Sequence, residues 1–222
     1  MITENMISTA LRYMGVPQKN VSAEMKEQVI HGFRRLEEIA AYKVIYQKVK
    51  VNRKEDQIAF ESTNCSIQSQ DLIKLLKNSP ECILMAATLG QEVDRQIGNL
   101  QKTNMLDAMV LDACASVLVD KLCDDAEVEI MNGLAENEYL TMRFSPGYGD
   151  VPLEASADLL DILAAQKRIG LMLTKTHMLV PTKSITALIG ISSQKENRQK
   201  SCGYCNLVKT CMYRRRGDKC GV

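Results

Sequence analysis

Tryptophan is missing from this 222-residue chain and phenylalanine occurs three times, so an interior built on aromatic rings is excluded. The core has to rest on Leu, Ile, Val, Ala and the twelve Met. Histidine is almost as scarce: His31 and His177 lie far apart in sequence, and each is read as structural rather than catalytic. No apolar run approaches the roughly 20 residues that cross a bilayer. The most conspicuous apolar block, Ile83 to Ala87, is strand-sized. The opening Met1-Ile2-Thr3-Glu4-Asn5 lacks the basic start and apolar stretch of a secretory signal, which makes a cytoplasmic protein the expectation. Internal repeats and low-complexity tracts are absent too.

What is present is an ordinary globular composition, 45% hydrophobic and 25% charged, in a length that suits one large domain or one domain with appendages. The net charge of +1 hides an asymmetry. Between Lys195 and Lys219 stand eight basic residues against two acidic ones, a net +6 that leaves the rest of the chain at −5. Such a tail fits contact with an anion, whether a phosphate group, an acidic partner protein or nucleic acid, and it equally fits a solvated charged terminus. The eight Cys divide in two. Cys65, Cys82, Cys114 and Cys123 are scattered, the last three in apolar surroundings that suit small buried hydrophobes, whereas Cys202, Cys205, Cys211 and Cys220 crowd into the basic tail, residues 195–222.

Periodicity organises the rest. Ile7, Ala10, Leu11 and Met14 share one helical face, ended by Gly15 and Pro17. Ser22 is positioned to cap a second helix that carries Met25, Val29, Phe33, Leu36 and Ala40. Residues 1–41 are therefore expected to form a helical extension packed on the body. Tyr42 to Val51 predicts a strand, with Gln57 to Glu61 returning as its partner across a polar turn. A short helix over Asp71 to Lys77 and a buried strand over Cys82 to Leu89 follow. Gln91 to Leu100 and Met105 to Met131 predict helices, the second with Leu106, Val110, Ala113, Val117 and Leu118 along one face. Tyr139 to Arg143 predicts a strand, Pro152 to about Arg168 a helix stopped by Gly170, and Ser184 to Ile191 a last strand. Helices and strands intermix without regular βαβ repetition. The expected fold class is α+β, with a mixed or antiparallel central sheet flanked by helices.

Chemistry concentrates in Arg143-Phe144-Ser145-Pro146-Gly147-Tyr148-Gly149-Asp150. Ser-Pro-Gly-Tyr fits a type II turn, with Pro presetting one φ and Gly supplying the positive φ beside it. Arg143 offers a planar guanidinium for a carboxylate, and Tyr148 a ring face with a hydroxyl. An amino-acid carboxylate and an adenine would suit this set. A hairpin-like connection with an incidental salt bridge would suit it as well.

The segment resembles the Arg-x-x-x-Gly-Tyr motif with which the activation domain of cobalamin-dependent methionine synthase binds S-adenosylmethionine. Ile169-Gly170-Leu171-Met172-Leu173-Thr174 is similar to that family's Ile-Gly-x-x-Leu-Thr segment. Met178-Leu179-Val180-Pro181 and Ser184-Ile185-Thr186 are similar to its Met-x-Pro-x-x-Ser-Val segment, and Leu118-Val119-Asp120-Lys121-Leu122 resembles its helix before the motif. The resemblance covers roughly residues 82 to 191, and on it residues 42–194 would form an S-adenosylmethionine-binding activation domain. It implies that Arg143 holds the methionine carboxylate and that Ser145 acts through its backbone near the adenine. Gly147 would allow close approach, Tyr148 would pack on the ligand, and Asp124 would be the acidic contact from the preceding helix, with Asp120 and Asp125 close by. The family also uses a Tyr after the last strand, where this chain has Ser192-Ser193-Gln194-Lys195-Glu196.

The implied function is support of reductive methylation, by which an oxidised cobalamin is reduced and methylated from S-adenosylmethionine so that methionine synthase regains activity. The family's domain is fused to its cobalamin module. A chain such as this one would act as a free-standing subunit on a methionine synthase, or on another corrinoid protein, that carries the cobalamin. No membrane and no nucleic acid enter that reading. In the tail, Cys202-x2-Cys205-x5-Cys211-x8-Cys220 supplies four thiolates, enough for an iron–sulfur cluster or zinc. The spacing is neither a zinc ribbon's nor a ferredoxin's, and redox-labile or unliganded thiols fit it equally. A cluster there would relay the electron that reactivation needs, and Arg214-Arg215-Arg216 would dock an acidic donor such as a flavodoxin or ferredoxin. The alternative from a different class is a non-catalytic, ligand-binding regulatory module whose metal-binding basic tail contacts nucleic acid.

Overall fold

A computed structural model describes residues 2–17, 19, 21–195 and 210. Two capped helices open the chain. Thr3 accepts from the Met6 N–H to start α1 (Glu4–Tyr13), and Ser22 accepts from the Met25 N–H to start α2 (Ala23–Ile39). A hairpin of β1 (Lys43–Arg53) and β2 (Gln57–Phe60) follows, with Arg53 opposite Ile58, and β2 is extended by the short β3 (Ser66–Gln68). After α3 (Gln70–Leu75) the chain enters β4 (Glu81–Thr88), then α4 (Gln91–Thr103) and the long α5 (Met105–Asn132). The last third contains β5 (Tyr139–Leu140), α6 (Ala155–Ile162), α7 (Ala165–Ile169), the small hairpin of β6 (Met172–Leu173) and β7 (Leu179–Val180), and β8 (Ser184–Ser192).

Six strands form one antiparallel sheet in the order β3-β2-β1-β4-β8-β5. The expectation of an α+β fold holds, and all the strand pairs are antiparallel. Side chains alternate across the central strands. Cys82, Leu84, Ala86 and Leu188 face a core closed by α3, α6 and α7, while Ile83, Met85, Ala87, Ala187 and Ile189 face Cys123, Ala126 and Ile130 of α5. With both faces covered, β4 reads as a continuous apolar run rather than an alternating one. A third cluster joins α1, α2 and α4 to the first half of α5. Cys65, Cys82, Cys114 and Cys123 are all buried and unbridged, and burial pushes the thiols of Cys65, Cys114 and Cys123 up to about 12.

Three details depart from the periodicity. Leu106 is not on the buried face of α5 but 46% exposed, because α1, α2 and α4 enclose the helix from Ala108 onward. The helix expected from Pro152 to about Arg168 is two helices: Ala164 takes a left-handed conformation between α6 and α7, and the change of direction lets Leu159 and Leu163 share one core with Ala165 and Ile169. Gly170 does end the second, with φ at +75°. The strand expected over Tyr139 to Arg143 stops at Leu140, for reasons that define the site below. Among the described residues no helix is long and apolar enough to cross a membrane.

The β4–β8 layer leaves no slack at Gly190. A β-carbon there would lie 2.5 Å from Ser79 Oγ, 2.7 Å from Leu76 Cδ2 and 2.8 Å from Thr141 Cγ2. We expect Gly190→Ala to lower stability by about 1–3 kcal/mol, read as a lower urea midpoint with an unchanged slope.

Candidate functional site

The edge of the sheet sets the geometry. After Leu140, the Thr141 N–H donates to the Gly190 carbonyl and the Thr141 hydroxyl accepts from the Gly190 N–H. Thr141 thus occupies a β8 residue with both backbone and side chain, and regular pairing lapses until Phe144 exchanges two hydrogen bonds with Leu188 (2.9 and 2.8 Å). In that interval Arg143 leaves the sheet and turns to α5. There Asp124 lies 2.9 Å from its Nη1, Glu127 2.5 Å from the same nitrogen and Asp120 3.4 Å from Nη2. The three carboxylates sit at i, i+4 and i+7, one above another on one helical face.

Burial differs around the cluster. The side chains of Arg143 and Glu127 are 11% and 8% exposed, those of Asp120 and Asp124 47% and 61%. Desolvation works against the Arg143 charge, but the anionic groups around it outweigh that and raise its pKa. Arg143 and Asp124, both singled out from the sequence, are therefore brought together. Asp120 joins them at longer range, whereas Asp125 turns to Lys121 instead. Glu127 was not picked out, although its spacing from Asp120 and Asp124 was the available signal.

The turn follows directly. The Tyr148 N–H donates to the Ser145 carbonyl at 3.1 Å and Gly147 has φ +89°, which is the type II geometry expected from Ser-Pro-Gly-Tyr. A second turn, from Tyr148 to Val151, overlaps the first, and the Gly147 N–H donates to the Val151 carbonyl. Pro146 is buried, while Gly147 is exposed and Tyr148 is 68% exposed. The Asp150 carboxylate anchors this loop by accepting from the Ser69 hydroxyl and from the N–H groups of Gln70 and Asp71 at the start of α3. Gly149 lies so close to that anchor that a β-carbon would sit 2.4 Å from Asp71 Oδ2. His31 lies exposed on α2 and His177 in the β6–β7 turn; neither bonds to the cluster. Among the described residues no group of three or more His, Cys, Asp and Glu has the geometry of a metal site. Cys202, Cys205, Cys211 and Cys220 lie outside the described residues.

A six-stranded antiparallel sheet covered by helices, with an arginine-led turn at its edge facing an acidic helix, defines the α+β class of the domain and its candidate site. This chain belongs to the vitamin B12-dependent methionine synthase activation domain family, whose model matches residues 37–217. The match is wider than the motif segments and takes in the end of α2 and the whole sheet. A crystal structure of the MetH reactivation domain bound to AdoHcy has the same fold. It superposes with a TM-score of 0.62 at 14% identity, covering 96% of this chain and 83% of that one. No curated protein sequence matches.

Desolvation raises the pKa of Asp150, but the hydrogen bonds from Ser69, Gln70 and Asp71 outweigh it and hold the carboxyl below the ordinary aspartate range. Because the folded-state value is the depressed one, this contribution is present above the unfolded pKa and is lost as pH falls through the folded one. We expect Asp150→Asn to melt a few degrees below the wild type at neutral pH, and the gap to close in acid. A gap independent of pH in thermal unfolding would deny the carboxylate that role.

Proposed function

We propose that this chain binds S-adenosylmethionine between the Arg143–Tyr148 turn and the acidic face of α5, and supports reductive methylation of an oxidised cobalamin carried by a methionine synthase partner. The observation that carries the reading is the pairing of a partly buried guanidinium with the exposed glycine turn beside it, in a chain of this family. AdoHcy, the ligand of the MetH reactivation domain, has the same carboxylate, ammonium and adenosyl groups as S-adenosylmethionine.

The residues fit those groups. Arg143 offers its guanidinium to the carboxylate, with the long Nη2–Asp120 contact the easiest to exchange. Asp124 is exposed enough to meet the ammonium. Gly147 leaves the turn backbone open to approach, Ser145 contributes through its backbone, and the exposed Tyr148 ring is available to cover the adenosyl moiety. The sulfonium supplies an already activated methyl group, so the protein needs no general base. Its work is to bind, orient and exclude water. In this reading the tail cysteines Cys202, Cys205, Cys211 and Cys220 hold an iron–sulfur cluster or zinc, and a flavodoxin or ferredoxin supplies the electron. A different corrinoid methyltransferase as the partner would use the same site.

Titration calorimetry tests the binding step. We expect Arg143→Ala to weaken S-adenosylmethionine about 10- to 100-fold, the size of a lost charge-assisted contact. A wild type that binds no S-adenosylmethionine would remove the reading altogether. Recovery of an oxidised cobalamin-dependent methionine synthase, given reductant, S-adenosylmethionine and this chain, tests the reaction.

A further inference from the structure

The turn beyond Arg143 leaves apolar surface in water. Among the described residues from Gly133 to Leu171, the large apolar side chains left exposed are those of Tyr148 and Leu153, at 68% and 38%. Two backbone bonds bring Leu153 to the turn. The Gly147 N–H donates to the Val151 carbonyl at 2.9 Å, which folds the chain back just before Leu153. The Leu153 carbonyl then accepts from the Ser156 N–H at 3.1 Å, at the start of α6. That helix is seated in the core by Ala155, Leu159 and Leu160, so Leu153 stands on a fixed support while its own side chain stays outside the core. The outcome is a close approach: a β-carbon on Gly147 would lie 3.3 Å from Leu153 Cδ1. Because residue 147 has no side chain, the Leu153 methyl and the turn backbone form one apolar step beside Tyr148.

We propose that Leu153 is a further ligand-contacting residue, whose side chain and the Gly147 α-carbon form the ledge that receives the adenine of the bound nucleoside. The proposal rests on the S-adenosylmethionine reading of this site and deepens it. That ligand has two dissimilar ends. Its carboxylate and ammonium belong with Arg143 and Asp124, whose charges they complement. Adenine is flat with apolar faces, and it gains most from a surface that sheds water easily. Leu153 and Gly147 offer such a surface on the turn that Arg143 leads. The ledge is indifferent to the charge on sulfur, so it holds S-adenosylmethionine and AdoHcy alike. It is carried by α6 and by a hydrogen-bonded turn, and therefore stands before the ligand arrives.

Calorimetry on the full chain, with S-adenosylmethionine and AdoHcy at several temperatures, tests the ledge. We expect Leu153→Ala to weaken both ligands by the same factor, about three- to tenfold, the size of a partly lost apolar contact. The heat-capacity change of binding, which marks apolar surface buried against the ligand, becomes less negative at the same time. Leu153→Asn, close in size but polar, behaves as Leu153→Ala does, and it serves in its place should that variant not fold. Leu153→Met keeps an apolar contact and stays near wild-type affinity. Wild-type affinity in Leu153→Ala or Leu153→Asn, or unequal losses for the two ligands, overturns the ledge while S-adenosylmethionine binding stands. A loss with unchanged heat capacity, or one that Leu153→Met shares, makes Leu153 an indirect support of the turn and overturns the contact. Failure of the wild type to bind either ligand overturns the site reading and this proposal with it.

Discussion

A guanidinium withdrawn from water has to be surrounded by acceptors, and Arg143 meets that requirement with three carboxylates from one helix. The constraint reaches further than the cluster. It needs the chain after β5 to abandon the sheet for a few residues, which Thr141 permits by occupying both polar groups of Gly190. It needs α5 to present Asp120, Asp124 and Glu127 toward the sheet edge, and the packing of Cys123, Ala126 and Ile130 onto β4 and β8 fixes that rotation. Sheet edge and helix are thus held in register by one side chain.

The turn beyond Arg143 is fastened from the opposite side. Asp150 ties it to the first turn of α3, whose other cap is Ser69, so one carboxylate serves both the loop and the helix start. Phe144 is joined to β8 by two backbone bonds. The segment from Arg143 to Asp150 is therefore supported at both ends by regular structure, and what lies exposed between them is the run Gly147, Tyr148 and Gly149. A loop held in this way pays little ordering entropy when a ligand arrives.

Much of this was legible before any coordinates. The β1–β2 hairpin, the Ser22 cap, the buried β4 and the Ser-Pro-Gly-Tyr turn all follow from local rules, in which a residue's neighbours in sequence are also its neighbours in space. The misses share the opposite property. Leu106 looked buried because helical periodicity says nothing about where a neighbouring helix ends. The break at Ala164 is dictated by a core that only the folded sheet creates, since no proline or glycine marks it. The interruption after Leu140 depends on Thr141 meeting Gly190, 49 residues away. Glu127 is not legible in the sequence for a related reason: a carboxylate on a helix is usually solvated, and only the approach of Arg143 encloses it.

Helix α5 divides its labour along its length. Its first half is enclosed by α1, α2 and α4, and Cys114 sits in that enclosure against the Val29 carbonyl. Its second half packs on the sheet by one face and carries the acidic row on another. The N-terminal helices do not touch Arg143 through any hydrogen bond or ion pair described, yet they bear on the site, because a helix clamped at one end cannot rotate at the other without breaking its own packing. A rotation of one residue, about 100°, would carry the carboxylates off the guanidinium and bury an uncompensated charge. The apolar first half of α5 thereby supplies the rigidity on which its charged second half depends, and that links the ligand site to residues at the far end of the helix.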